Sequence, residues 1–324
     1  MTPEYRGTLR RHYGRLCLAL LVYYVVTAAA QFAFQYAVLA WAPAWADSGW
    51  FTPSLAFLPR YCIGFPIFLW LLPKAPPKEL LPEKQRIPPR ELFPILLMCL
   101  GVLYPGNLLG QGLNWLLSRA FHSTSGGGNS LDVLISDSNT WAILLVAVVL
   151  APIMEELTFR KLLLDRMRTI DKPSALFFTA LAFGLFHSNL VQFFYAFGVG
   201  LIFGCIYLRT GRIGYSMVLH VLINFFGSAA VLFLMGDLDL AALDAAALME
   251  NLLPLLGLGI YALVLIAGSI AGIVLLFRHK RSLRVADGRD LLAPGSRFSL
   301  VFCRPAWLLY CLAVLAMIVI SYLA

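Results

Sequence analysis

The sequence predicts an all-α polytopic membrane protein, a bundle of about 8–9 transmembrane helices. Three observations carry that prediction. Of 324 residues, 60% are hydrophobic and only 13% charged, and mean hydropathy is +0.80, whereas a soluble domain is roughly half apolar and about a quarter charged. Apolar runs long enough to span a bilayer, which takes about 20 residues, recur along the whole chain. The basic residues alternate from one side of those runs to the other. A water-soluble enzyme, a disordered chain and a disulfide scaffold are excluded; the six cysteines form no C-x-x-C pair and read as small buried hydrophobes.

The runs fall at about 16–40, 51–72, 92–118, 140–164, 174–190, 191–208, 213–235, 252–277 and 305–324. The fifth and sixth are short and meet at Ser188-Asn189, so nine spans are expected, with eight as the near alternative. With the N-terminus inside, 23 of the 25 Lys and Arg residues fall on the cytoplasmic side, leaving Arg60 and Arg119. Cytoplasmic connections carry such an excess. Asp47, Asp132, Asp137, Asp237, Asp239, Asp244 and Glu250 fall on the other side. The net charge of +8 is thus a topology signal, and nucleic acid is not expected as a partner.

Trp41, Trp45 and Trp50 mark the first outer turn, where amphipathic rings favour the headgroup layer. The first run is too long for a signal-peptide core and reads as an uncleaved anchor, although Ala44-Trp45-Ala46 resembles a cleavage site. Ser123 to Ser130, with Gly126, Gly127 and Gly128, reads as an outer loop, because no G-K-[ST] follows it. Pro73 to Pro89 reads as a cytoplasmic linker.

Ionisable groups inside a span are expensive and mark function by default. They concentrate in three runs. The fourth carries Pro152, Glu155, Glu156 and Arg160, the fifth Phe183 and His187, the seventh His220 and Asn224. Glu156 and Arg160 are four residues apart and share a helix face, a spacing that suits a neutralising pair. Glu155 is rotated by about 100° from Glu156 and has no cation at a good spacing. His220 and Asn224 share a face one turn apart. The rise per residue puts Glu155 roughly 15 Å, His187 roughly 20 Å and His220 roughly 10 Å from the inner ends of their helices. They can meet at mid-depth in a cavity facing the cytoplasm, widened by a kink at Pro152. Phe183 reads as packing, and Arg60 as a side chain snorkelling to the outer interface.

These segments resemble the CPBP family of intramembrane proteases, the CAAX protease and bacteriocin-processing (Abi) family. Its Glu-Glu-x-x-x-Arg, Phe-x-x-x-His and His-x-x-x-Asn motifs are matched in order by Glu155-Glu156 with Arg160, Phe183 with His187, and His220 with Asn224. The stretch from Gly200 to Gly211 is similar too, so the resemblance covers about 140–230, between N-terminal helices (1–139) and C-terminal helices (231–324). It implies an intramembrane endopeptidase resembling CAAX prenyl proteases, in which Glu155 and His187 activate a water and His220 with Asn224 forms an oxyanion hole. The implied substrate is a peptide or membrane-anchored protein, with bacteriocin maturation or self-immunity as a special case, in a bacterial plasma membrane. No cofactor is the preferred reading. The alternative is a zinc held by Glu155, His187 and His220, although no H-E-x-x-H is present. From other classes, a proton-coupled transporter using the same groups and a non-catalytic membrane scaffold compete.

Overall fold

The computed structural model describes residues 3–74, 84–123, 138–168, 171–236, 249, 251–278 and 294–323. The glycine-rich stretch 126–128 and most of the Pro73–Pro89 linker lie outside the described residues. The helices are α1 (Pro3–Trp41), α2 (Phe51–Leu71), α3 (Pro89–Ala120), α4 (Thr140–Met167), α5 (Lys172–Leu185), α6 (Leu190–Thr210), α7 (Ile213–Met235), α8 (Leu252–Arg278), α9 (Pro294–Val301) and α10 (Pro305–Leu323). Among the described residues, eight of these are long and apolar enough to cross a membrane. This is an integral, multi-pass helical bundle.

The expected ninth span is the exception. Its run contributes α5, of 14 residues, about 21 Å long and short of a bilayer core. Apolar residues alone did not set its ends. Pro173 in its first turn, behind Asp171, starts the helix. At the other end Ser188 takes a left-handed φ of 55°, and the Asn189 side chain caps α6 by accepting from the Gln192 N–H at 2.8 Å. The chain therefore reverses inside the bundle, at the Ser188-Asn189 junction.

Two glycine contacts set how closely the helices approach. Gly106 and Gly110, one turn apart on α3, lie against the backbone of α6 at Tyr195 and at Leu190-Val191. Gly101 of α3 and Gly272 of α8 face each other, and a Cβ on Gly272 would collide with the Leu97 carbonyl. Small residues allow this backbone approach in lipid, where water drives no association. Gly272→Val is therefore expected to lower thermal stability in detergent by about 1–3 kcal/mol, the usual cost of overpacking. An unchanged melting curve would contradict this α3–α8 contact.

The bundle has two distinguishable ends. At the basic one, Arg166 donates to the Pro73 carbonyl at 2.8 Å, Gln85 N–H to the Thr210 carbonyl at 2.9 Å, and Arg209 pairs with Glu91 at 3.0 Å. Asp165 there gathers Lys161 at 2.9 Å, Arg168 at 3.0 Å and the Tyr207 hydroxyl at 3.0 Å. At the opposite end, Asn139 N–H donates to the Gly49 carbonyl at 2.8 Å. The packed core lies toward the basic end, around Tyr13, Leu16, Leu20, Phe159, Leu163, Met167, Phe178 and Trp307. Of the cysteines expected to be buried, Cys17 and Cys99 are, whereas Cys62 and Cys303 are exposed.

Candidate active site

The half of the bundle away from that core holds a cavity of about 900 Å³. Above a floor at mid-depth that bears Glu155 and His220, its walls come from the second half of α1 (Tyr24, Gln31), the first half of α2 (Thr52, Arg60, Tyr61), and the outer parts of α3, α4, α7 and α10 (Asn107, Gln111, Ala147, Ser228, Ser321). All of these approach the Gly49–Asn139 end. The cavity therefore faces away from the basic end, a correction to the expected placement. Depth along each helix was readable from sequence. Which half the core would fill was not, because that depends on how α1, α4, α5 and α10 pack.

Four stretches of the spans are wound as π-helix: Pro59–Gly64, Ile143–Leu150, Leu157–Leu164 and Phe225–Ala229. Three of them contain cavity residues, and the fourth, Leu157–Leu164, follows directly on the two carboxylates. Glu155 and Glu156 sit on the α-helical turn Ala151–Glu156 between two of them, His220 and Asn224 end the α-helical stretch before a third, and Arg60 and Tyr61 lie within the first. Wider turns of this kind recur at functional sites, because they re-aim side chains without ending the helix. Pro152, which donates no N–H, opens the turn that bears the carboxylates.

Glu156 is fully buried; its Oε1 accepts from His220 Nδ1 at 3.0 Å and forms an ion pair with Arg160, Nη1 lying 2.9 Å away. The Arg160 guanidinium lies over the Phe183 ring, 4.4 Å from its centroid, and is 5.3 Å from that of Phe203. So Phe183 packs against a cation as well as against apolar neighbours, and Glu156 touches a site histidine as well as Arg160. The pair expected to be structural is also a support for His220. Glu155 points to the cavity. Its Oε1 accepts from the Tyr61 hydroxyl at 3.4 Å, and its Oε2 lies 3.6 Å from His220 Nε2. His220 is thereby held between two carboxylates, one at each ring nitrogen.

His187 and Asn224 line the same cavity. The His187 Nδ1 is 2.9 Å from the Phe183 carbonyl, its own preceding turn, which leaves Nε2 for other partners. Asn224 Nδ2 donates to the Ala147 carbonyl at 2.9 Å, which leaves its second N–H for another acceptor. Among the described residues, no three His, Cys, Asp or Glu side chains gather closely enough to hold a metal ion. Glu155, His187 and His220 as they stand thus do not form a zinc ligand set.

Sequence reasoning missed Tyr61 and Arg60. Tyr61 carried no signal of its own. Arg60 did, as a charge inside an apolar run, but it was sent to the interface, whereas it sits in the cavity wall against Phe186.

Residues 137–226 match the model of a family described as type II CAAX prenyl endopeptidase Rce1-like. The match nearly coincides with the 140–230 stretch that carries the three motifs, and it shows the resemblance read from them. No curated protein and no solved structure matches the chain.

Proposed function

From a bundle whose motif-bearing segment is Rce1-like, we propose that the protein is an intramembrane endopeptidase. It hydrolyses a peptide bond in a peptide or membrane-anchored protein, without a bound metal. The observation that carries the reading is Glu155, a carboxylate on the wall of a membrane cavity, held by Tyr61 on one oxygen and facing His220 with the other.

In this mechanism Glu155 takes the proton of the attacking water, the ordinary work of a positioned carboxylate. His187, in the same cavity, helps hold that water. His220 is fixed by its Nδ1–H, which donates to Glu156, itself anchored by Arg160. Its Nε2 side, 3.6 Å from Glu155, faces the reacting centre, and its N–H hydrogen-bonds the carbonyl oxygen as negative charge develops there, the proton staying on the ring. The second N–H of Asn224 adds to that hole. The protonated Glu155 then supplies the leaving amine, so the site returns to its starting state. Bacteriocin maturation or self-immunity is one task within this reaction class.

The test is a comparison of membrane-protein termini in cells carrying the wild type and Glu155→Gln. New termini that require Glu155 are expected. A set of termini indistinguishable between the two would overturn the reading.

We further propose a bacterial plasma membrane with the N-terminus in the cytoplasm, on the strength of the basic residues. That orientation puts the cavity in the outer half of the membrane. In a cysteine-free background, Thr52→Cys at the cavity wall is expected to react with a membrane-impermeant maleimide added outside intact cells. Labelling only after lysis would reverse the orientation.

A further inference from the structure

Arg60 is the charge in the cavity that the proposed chemistry does not use. It stands on the π-helical stretch of α2, one residue before Tyr61, whose hydroxyl donates to Glu155. Its guanidinium lies 4.4 Å from the centroid of Phe186, next in sequence to His187. Its Nε is buried with no hydrogen-bond partner; the guanidinium interacts with Tyr61 and is attracted by the Glu155 carboxylate, which lies beyond ion-pair distance. The other deeply placed arginine of the spans, Arg160, has Glu156 at 2.9 Å. A cation in a low-dielectric wall with no carboxylate in direct contact is costly to keep. Stacking on an aromatic face and the interaction with Tyr61 offset part of that cost and leave part of the planar fork free to receive an anion.

We propose that Arg60 is a specificity-determining residue that binds a carboxylate of the substrate. The inference rests on the endopeptidase reading and names the substrate class of that same site. A guanidinium and a carboxylate match as two parallel hydrogen bonds. The position fixes the register: the anion sits close to Glu155, within a few peptide residues of the bond to be cut. At about 900 Å³, the cavity is the size of a small-ligand pocket, which admits a short apolar segment and not a folded domain. The carboxylate is either the free C-terminus of the substrate or an Asp or Glu side chain near the cleavage point.

The experiment uses the purified full-length protein in detergent and three pools of synthetic apolar hexapeptides. One pool ends in a free acid, one in an amide, and one in an amide with a single internal Glu. Products are read by mass spectrometry for the wild type, Arg60→Gln and Arg60→Lys. A hydrogen bond to a charged group contributes about 1.5–3 kcal/mol, so a carboxylate pool should be cut about 10-fold or more faster than the plain amide at limiting peptide. Preference for the free acid identifies the C-terminus as the source, and preference for the Glu pool a side chain. The preference should vanish in Arg60→Gln, mainly through KM, and return in part in Arg60→Lys. Because Arg60→Gln breaks no direct ion pair and the amide can still reach Tyr61, it should stay folded with a melting temperature near that of the wild type. The proposal is overturned by equal cutting of the three pools, by a preference that survives Arg60→Gln, or by a destabilised Arg60→Gln. It is also overturned if no pool is cut while Glu155-dependent termini exist in cells. Absence of both overturns the endopeptidase reading, and this inference with it.

Discussion

Glu155→Gln is expected to lower cleavage by about 10²–10⁴-fold, the usual cost of removing a general base, while leaving expression and melting temperature near wild type. The amide occupies the same volume, and its oxygen still accepts from the Tyr61 hydroxyl, so the contact to α2 survives. What it cannot do is take a proton from water at neutral pH. Near-wild-type turnover in purified Glu155→Gln protein would remove Glu155 from the reaction. The same preparations address the metal: wild-type protein purified in chelator is expected to keep its activity and contain no stoichiometric zinc. Activity lost in chelator and restored by zinc would require Glu155, His187 and His220 to converge in a way they do not here.

Glu156→Gln should fail differently. It leaves Arg160, 2% exposed, without its counter-ion, and breaking a buried pair from one side costs about 3–5 kcal/mol. The first sign is therefore lower expression and a lower melting temperature. Adding Arg160→Gln should recover part of the stability, because no unpaired charge remains. It should not recover the activity, because His220 Nδ1 has lost the carboxylate that orients it. A double variant with both stability and turnover restored would show that His220 needs no such support. A stable, inactive Glu156→Gln would instead place Glu156 in the catalytic set.

The contrast between these two neighbours shows what was legible in the sequence. That Glu155 and Glu156 diverge follows from helix geometry, and that Arg160 can reach Glu156 follows from their spacing. The helices themselves followed from apolar runs, with one exception. The run at 174–190 has the composition of a span, but a capping asparagine and a serine at positive φ cut it into α5 and a reversal. Periodicity carries little information on such a break, because one residue at left-handed φ suffices to make it. Contacts between distant helices were not legible at all. Tyr61 and Glu155 are 94 positions apart, His220 and Glu156 are 64, and no local pattern encodes either approach. The same limit explains Arg60: one cation on a long flexible side chain inside a run reads as an interfacial anchor until the neighbouring helices are known to enclose it.

The contact from Tyr61 to Glu155 also decides what can be detached from this protein. Residues 137–226 are the part with a recognisable lineage, and a segment of that kind invites use as a portable cassette, expressed alone or transplanted into another scaffold. Here it has no autonomy. The hydroxyl on Glu155 and the cation beside His187 both come from α2. Tyr24 and Gln31 of α1 wall the same cavity, and Tyr13 and Leu16 of α1 fill the core beneath it together with Phe159 and Met167. Cut out of its surroundings, the segment would keep each of its motif residues and lose the enclosure that gives them a reaction to perform. The flanking helices thus enclose the motif residues and shape what can reach them.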